Sequence, residues 1–229
     1  MRPHLIILHG ALGAKQQFSE LSKILNEKFI VHSFNFEGHG GRPTEHLYTI
    51  ELFTQNLIDY VVAKELNKPF VFGYSMGGYV ALNASHQGLQ FQKLLTLGTK
   101  FDWTPEIAQK EIKLLNPKTI KEKVPKFAEY LAALHEPEDW NEVMHKTVQM
   151  MIGLGNEPTL TNNKLQNINL RTLCCLGSED KMVTQEETKN TVSKLRNAEF
   201  YSFQGFEHSI EKVDITILAR KIIDFFQSV

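Results

Sequence analysis

Cysteine is almost missing from this chain: 229 residues contain two, Cys174 and Cys175, and they are adjacent. Neighbours in a strand point to opposite faces, so this pair makes neither a disulfide framework nor a zinc knuckle. They read as buried free thiols of a reducing compartment. Long apolar runs are also missing. No stretch approaches the roughly 18 residues of a membrane-spanning helix, and the N-terminal run Leu5-Ile6-Ile7-Leu8 is too short for a secretory signal. The expected location is therefore the cytoplasm, with no membrane insertion. An excess of one charge is lacking too: 25 basic side chains face 26 acidic ones, for a net charge of −1. Without a basic face the chain is not expected to bind nucleic acid, which leaves a small molecule as the expected partner. With 42% hydrophobic residues disorder is excluded. One domain of this length buries enough core to fold without a disulfide or a metal. There is no internal repeat and no low-complexity linker.

What is present is an alternation of short β-rich runs with helix-length amphipathic stretches. Leu5-Ile6-Ile7-Leu8 ends in His9-Gly10 and reads as a strand buried on both faces. Phe18, Leu21, Ile24 and Leu25 follow at helical spacing. Phe29-Ile30-Val31-His32-Ser33-Phe34 is a second strand, then comes the turn Glu37-Gly38-His39-Gly40-Gly41 and a helix carrying Leu52, Phe53, Leu57, Tyr60 and Val61. Phe70-Val71-Phe72 is the third strand and 93–98 the fourth. Residues 102–163 are helical only, punctuated by prolines at 105, 117, 125, 137 and 158. Strands at 170–177 and 198–203, with helices at 186–195 and 215–226, complete the chain. Such alternation predicts an α/β fold, a parallel sheet covered by helices on both faces in three layers. The all-helical stretch is expected as a cap inserted after the fourth strand, giving a core of 1–101 and 164–229 and a cap of 102–163.

Four short motifs follow predicted strands. Gly73-Tyr74-Ser75-Met76-Gly77 fits G-x-S-x-G between a strand and a helix. The glycines two before and two after are needed because side chains there would collide in a turn tight enough to expose the serine. The plain alternative is a glycine-rich turn capped by serine. His9-Gly10-Ala11-Leu12-Gly13 ends the first strand, with small residues that let backbone N–H groups approach a ligand. Gly177-Ser178-Glu179-Asp180-Lys181-Met182-Val183 ends the fifth, and Gly205-Phe206-Glu207-His208-Ser209 follows the sixth. In open α/β sheets ligands bind at the C-terminal ends of the strands, so the four motifs converge on one site.

On these motifs the sequence resembles the α/β-hydrolase-fold enzymes over nearly the whole chain outside the cap. The resemblance implies Ser75 as nucleophile, Asp180 as the acid and His208 as the base, with the backbone N–H groups of Ala11 and Met76 as the oxyanion hole. It implies a serine hydrolase of small esters or thioesters, acting through an acyl-enzyme with no metal or organic cofactor. The same serine and histidine in some members carry out lyase or carbon–carbon bond cleavage on carboxylate-bearing substrates, and a few proteins of this fold are non-catalytic receptors. The implied sheet has six parallel strands in the order second, first, third, fourth, fifth, sixth, and lacks the family's first two strands. Two departures are visible: Asn35 near a common aspartate, and Arg171 where a proline often opens the fifth strand.

Other residues compete for these roles. Asp102, after the fourth strand, and Glu179, beside Asp180, are alternative acids. Among nine histidines, His9 is expected to support the oxyanion loop, His39 to serve in a turn, and His135 and His145 to lie on the cap surface or line a pocket. Tyr130, Trp140, Met144 and Met151 are the expected pocket residues, while most other apolar cap positions pack as core. Arg42 is either a surface arginine or a carboxylate binder. The cap lysines at 110, 113, 118, 121, 123 and 126 read as a solvated face, with attraction of an anionic substrate as the alternative.

Overall fold

In the computed structural model, which describes residues 2–228, the apolar runs pair into one six-stranded sheet. Its strands are β1 (His4–Leu8), β2 (Ile30–Ser33), β3 (Phe70–Tyr74), β4 (Leu94–Leu97), β5 (Thr172–Gly177) and β6 (Ala198–Phe203). Every pairing is parallel and the order is β2-β1-β3-β4-β5-β6, the order expected from the sequence. β3, β4 and β5 are buried at every residue, whereas the edge strands β2 and β6 are half-exposed. Strands covered on both faces must be apolar at successive positions, which is why these runs do not alternate with polar residues.

Helix α1 (Ser19–Leu25) follows a 3-10 turn at Lys15–Phe18. The α2 helix (Ile50–Ala63) begins where the Thr49 hydroxyl accepts the Leu52 N–H at 3.0 Å. α3 (Met76–His86) leaves directly from β3. Five helices separate β4 from β5: α4 (Pro105–Ile112), α5 (Pro117–Lys123), α6 (Pro125–His135), α7 (Trp140–Asn156) and α8 (Asn162–Gln166). Pro105, Pro117 and Pro125 each open a helix, at the position where the missing N–H costs nothing. The helical stretch runs to Gln166, a little beyond the expected end at residue 163. α9 (Gln185–Lys194) starts on a Thr184–Glu187 capping box, and α10 (Ile215–Gln227) on the Asp214 carboxylate. No helix among the described residues is long and apolar enough to cross a membrane.

The pleat sorts the strand residues onto two faces. Ile6, Leu8, Val71, Leu94 and Cys174 join a core with residues of α2, α3 and α7. Leu5, Ile7, Phe70, Phe72, Leu95 and Cys175 join the other core, with α1 and α10. The adjacent cysteines therefore lie on opposite faces, both free and buried, as the strand geometry requires. Trp140, Met144, Ile120, Ala128 and Leu131 form a third, smaller cluster within the inserted helices.

Candidate active site

The turn from β3 into α3 is tight because backbone approaches backbone there. A Cβ on Gly73 would sit 2.5 Å from the Gly78 Cα, and one on Gly77 would sit 2.5 Å from the Leu8 carbonyl oxygen. Only glycine fits at both positions. Between them Ser75 takes φ 50° and ψ −119°, a conformation rare for a residue with a side chain. Surrounding bonds hold it there: its N–H donates to the Leu97 carbonyl at 2.8 Å, and its own carbonyl accepts from the Thr99 hydroxyl at 2.9 Å.

Asp180 lies just past β5 and His208 just past β6. The His208 Nδ1–H donates to Asp180 Oδ2 at 2.8 Å, and the Asp180 side chain is 1% exposed. The other carboxylate oxygen accepts the N–H groups of Met182 at 2.8 Å and Val183 at 2.9 Å. Burial pushes this carboxyl up, but the His208 bond and charge and the two backbone donors outweigh it and hold it below the usual aspartate range. With Nδ1–H committed to Asp180, Nε2 of His208 is left as the acceptor. Of the competing acids, Glu179 is exposed beside Lys181, and the Asp102 backbone N–H is tied to Glu187; Asp180 is the acid that meets His208.

The loop after β1 is fixed through a single peptide unit. His9 is fully buried; its Nδ1–H donates to the Gly10 carbonyl at 2.8 Å and its Nε2 accepts the Phe36 N–H at 3.1 Å. Burial, opposed by the Gly10 bond, with His135 nearby acting the same way as burial, lowers its pKa to about 4, so the ring is neutral. Gly13 N–H donates to the same Gly10 oxygen at 3.1 Å. Because that carbonyl shares a planar peptide with the Ala11 N–H, fixing one orients the other. Leu12, next in the loop, has φ 57°.

Ala11, Ser75, Met76 and His208 line one cavity of about 50 Å³. The rest of its lining is mostly apolar: Trp103, Met150, Met151 and Leu154 come from the segment between β4 and β5, Ile50 from α2 and Tyr79 from α3, with the charged Lys100 and Glu111 beside them. Of the four expected pocket residues, Met151 is in this lining and the other three are not. Trp140 and Met144 are buried in the small cluster inside the inserted helices. Tyr130 is 38% exposed, with its hydroxyl 3.3 Å from Glu211. Helical spacing identified apolar faces there without distinguishing a face turned to its own cluster from one turned to the sheet.

Three further residues hold the site together in roles that the sequence did not indicate. Tyr74, an "x" of the serine motif, donates its hydroxyl to the His208 carbonyl at 2.8 Å. Lys100 donates to the Met182 carbonyl at 2.8 Å and lies 3.3 Å from Glu111 and 3.6 Å from Glu187, steadying the peptide whose N–H reaches Asp180. His135, expected at the surface or in a pocket, is fully buried at the end of α6. Its Nε2–H donates to the Leu12 carbonyl at 3.2 Å and its Nδ1 accepts the Gly40 N–H at 3.1 Å. Gly-rich punctuation marked both loops, but no local pattern joins residue 135 to residue 12.

The two departures and the arginine have structural partners. Asn35 accepts the Lys15 N–H and donates to the Gly40 carbonyl, using both halves of an amide where a carboxylate could only accept. Arg42 donates to the Asn35 carbonyl and lies 3.4 Å from Glu37, and Arg171 stacks over Phe225. The six lysines at 110, 113, 118, 121, 123 and 126 are all exposed.

Comparison with known proteins identifies the family and the fold. Residues 1–212 match the family model described as serine aminopeptidase, S33. A Saccharomyces cerevisiae protein named "Probable alcohol acetyltransferase" is 33% identical over 86 residues, 35% of this chain and 25% of that relative. The match thus spans a quarter of the relative's length. The crystal structure of an alpha/beta hydrolase enzyme from a Medee basin deep-sea metagenome library superposes with a TM-score of 0.82 at 15% identity, covering 100% of this chain and 90% of that one. An esterase from Exiguobacterium antarcticum gives 0.80 at 17% identity, covering 99% and 92%. At these identities the solved structures share the fold.

Proposed function

Because this chain belongs to the serine aminopeptidase S33 family of hydrolases, we propose that it is a serine hydrolase of small esters or thioesters. In this reading Ser75 Oγ attacks the acyl carbon while His208 Nε2 takes the hydroxyl proton. Asp180 keeps the imidazole in the tautomer that can accept and stabilises the imidazolium that forms. The Ala11 and Met76 N–H groups receive the developing oxyanion, a type of contact worth about 10²–10³ in rate. The leaving group departs with the proton from His208, and a water activated by the same nitrogen then frees the acid.

The observation that carries the proposal is the 2.8 Å His208–Asp180 bond, on a histidine that shares one small cavity with the strained Ser75. Size argues for the substrate class. A cavity of about 50 Å³ holds about four water-sized groups, so a short acyl group such as acetyl to butyryl fits it. The acetyltransferase name of the yeast relative and the esterase among the structural neighbours support acyl chemistry of this kind. We also read 102–163 as a cap, since α7 and Trp103 supply the wall opposite Ser75.

Turnover of p-nitrophenyl esters of graded chain length by the natural protein and by Ser75→Ala tests the reading. Short esters are expected to be hydrolysed by the first and not by the second. Equal rates in the two proteins, or no turnover of any ester by the folded natural protein, would overturn it.

A further inference from the structure

The cavity at Ser75 has a neighbour. A groove of about 500 Å³ runs along the start of α2 and the outer face of α7, lined by Tyr48, Thr49, Gly153 and Pro158 among others. Ile50, Met150 and Leu154 line both the groove and the cavity. The partition between them is therefore one layer of side chains thick. All three are buried, at 2%, 6% and 6% exposure, and Met150 and Leu154 are one helical turn apart on α7.

These three do not seal the partition equally. All three pack in the main core, but Ile50 is branched at Cβ and stiff at χ1, and Leu154 is branched at Cγ. Met150 is unbranched, with three rotatable bonds, and adapts to whatever lies beside it. On the groove side next to it there is empty space: a Cβ added at Gly153 would meet no atom within 4 Å. A chain that displaced Met150 would thus enter room already present.

We propose that Met150 is a specificity-determining residue: its side chain closes the Ser75 cavity from the groove and thereby limits the acyl chain. Shortening it joins the two spaces into one channel for straight-chain acyl groups longer than the cavity alone admits. This deepens the hydrolase reading and rests on it. The groove end is polar as well as apolar, with Thr49, Glu51, Gln149 and Lys164 on its walls, so an acyl tail that crosses the partition finishes in a wet, open site.

The test is the ratio of kcat/KM for p-nitrophenyl octanoate to that for the acetate. It is measured on the natural protein, Met150→Ala, Leu154→Ala and the double variant Met150→Ala with Gly153→Trp. The natural protein is expected to favour acetate. Met150→Ala should raise the ratio about tenfold or more, since each methylene accommodated in an apolar site is worth about that factor. Leu154→Ala, which thins the same wall, should raise it in the same direction and serves if the methionine variant folds poorly. The indole at position 153 should reverse the gain by filling the groove. An unchanged ratio in the folded wall variants, with Ser75-dependent acetate turnover intact, overturns the partition while leaving the hydrolase reading standing. A gain that survives Gly153→Trp also overturns it. Failure of every protein to turn over any ester overturns both.

Discussion

Lowering the pH should unfold this protein earlier than its carboxylates alone would dictate, because neutral histidines are sealed behind the loop that follows β1. His9, His39 and His135 are each fully buried, with ring centroids 5.2 Å apart for the first two and 5.8 Å for the last two. Burial lowers all three, strongly for His39, which also faces His9 and His135. A histidine whose folded pKa is depressed leaves the unfolded chain with more bound protons at intermediate pH. Stability is then complete above about pH 6.5 and falls as the pH drops toward the folded value. For His9, lowered by burial from an ordinary value near 6.5 to about 4, the loss is about 1 kcal/mol at about pH 5.5. It reaches about 3 kcal/mol below about pH 4. His39 and His135 add to it in the same sense, and the lowered Asp180 adds a further loss at still lower pH. Against a total stability of about 5–15 kcal/mol this is a large fraction. Urea unfolding midpoints between about pH 7.5 and 4.5 measure it. The same series on His9→Asn should show a slope shallower by up to one proton. Midpoints that stay level from about pH 7 to 5, or an unchanged slope in His9→Asn, would refute the reasoning.

Removing the His135 ring leaves two part-buried backbone groups, the Leu12 carbonyl and the Gly40 N–H, without their partner, so His135→Ala should cost about 1–3 kcal/mol. His135→Gln, whose amide can both donate and accept, should recover part of it in the same denaturation assay. Asp180→Asn should leave the fold intact yet lower ester kcat by about 10³–10⁴-fold, because the amide no longer selects the productive histidine tautomer; a fall of less than tenfold would remove Asp180 from the proposed role. Cys174, whose thiol burial pushes up to about 12, and Cys175, raised well above the ordinary value, should resist a thiol reagent until denaturant is added.

Much of the fold was legible because its signals are local. Each central strand is a mostly apolar run, each turn of the site is written in glycines, and the order of strand-end motifs reproduces the order in which Ser75, Asp180 and His208 reach one edge of the sheet. The cavity wall was legible only at Met151. The apolar positions of α6 and α7 divide between a private cluster, with Trp140 and Met144, and the main core, with Met150 and Leu154. Which face turns where depends on how the helices pack, and periodicity carries no information about that. His135 illustrates the same limit: its value lies in two bonds spanning 123 and 95 residues of chain, and nothing in its immediate neighbours announces them.

The central claim is that Ser75 is an activated nucleophile. Treatment of the folded protein with a fluorophosphonate followed by peptide mass spectrometry tests it most directly. One adduct on the peptide containing Ser75, absent from Ser75→Ala and much slower to form in His208→Ala, is the predicted result. A folded protein that stays unlabelled, or carries its label on another residue, would contradict the account.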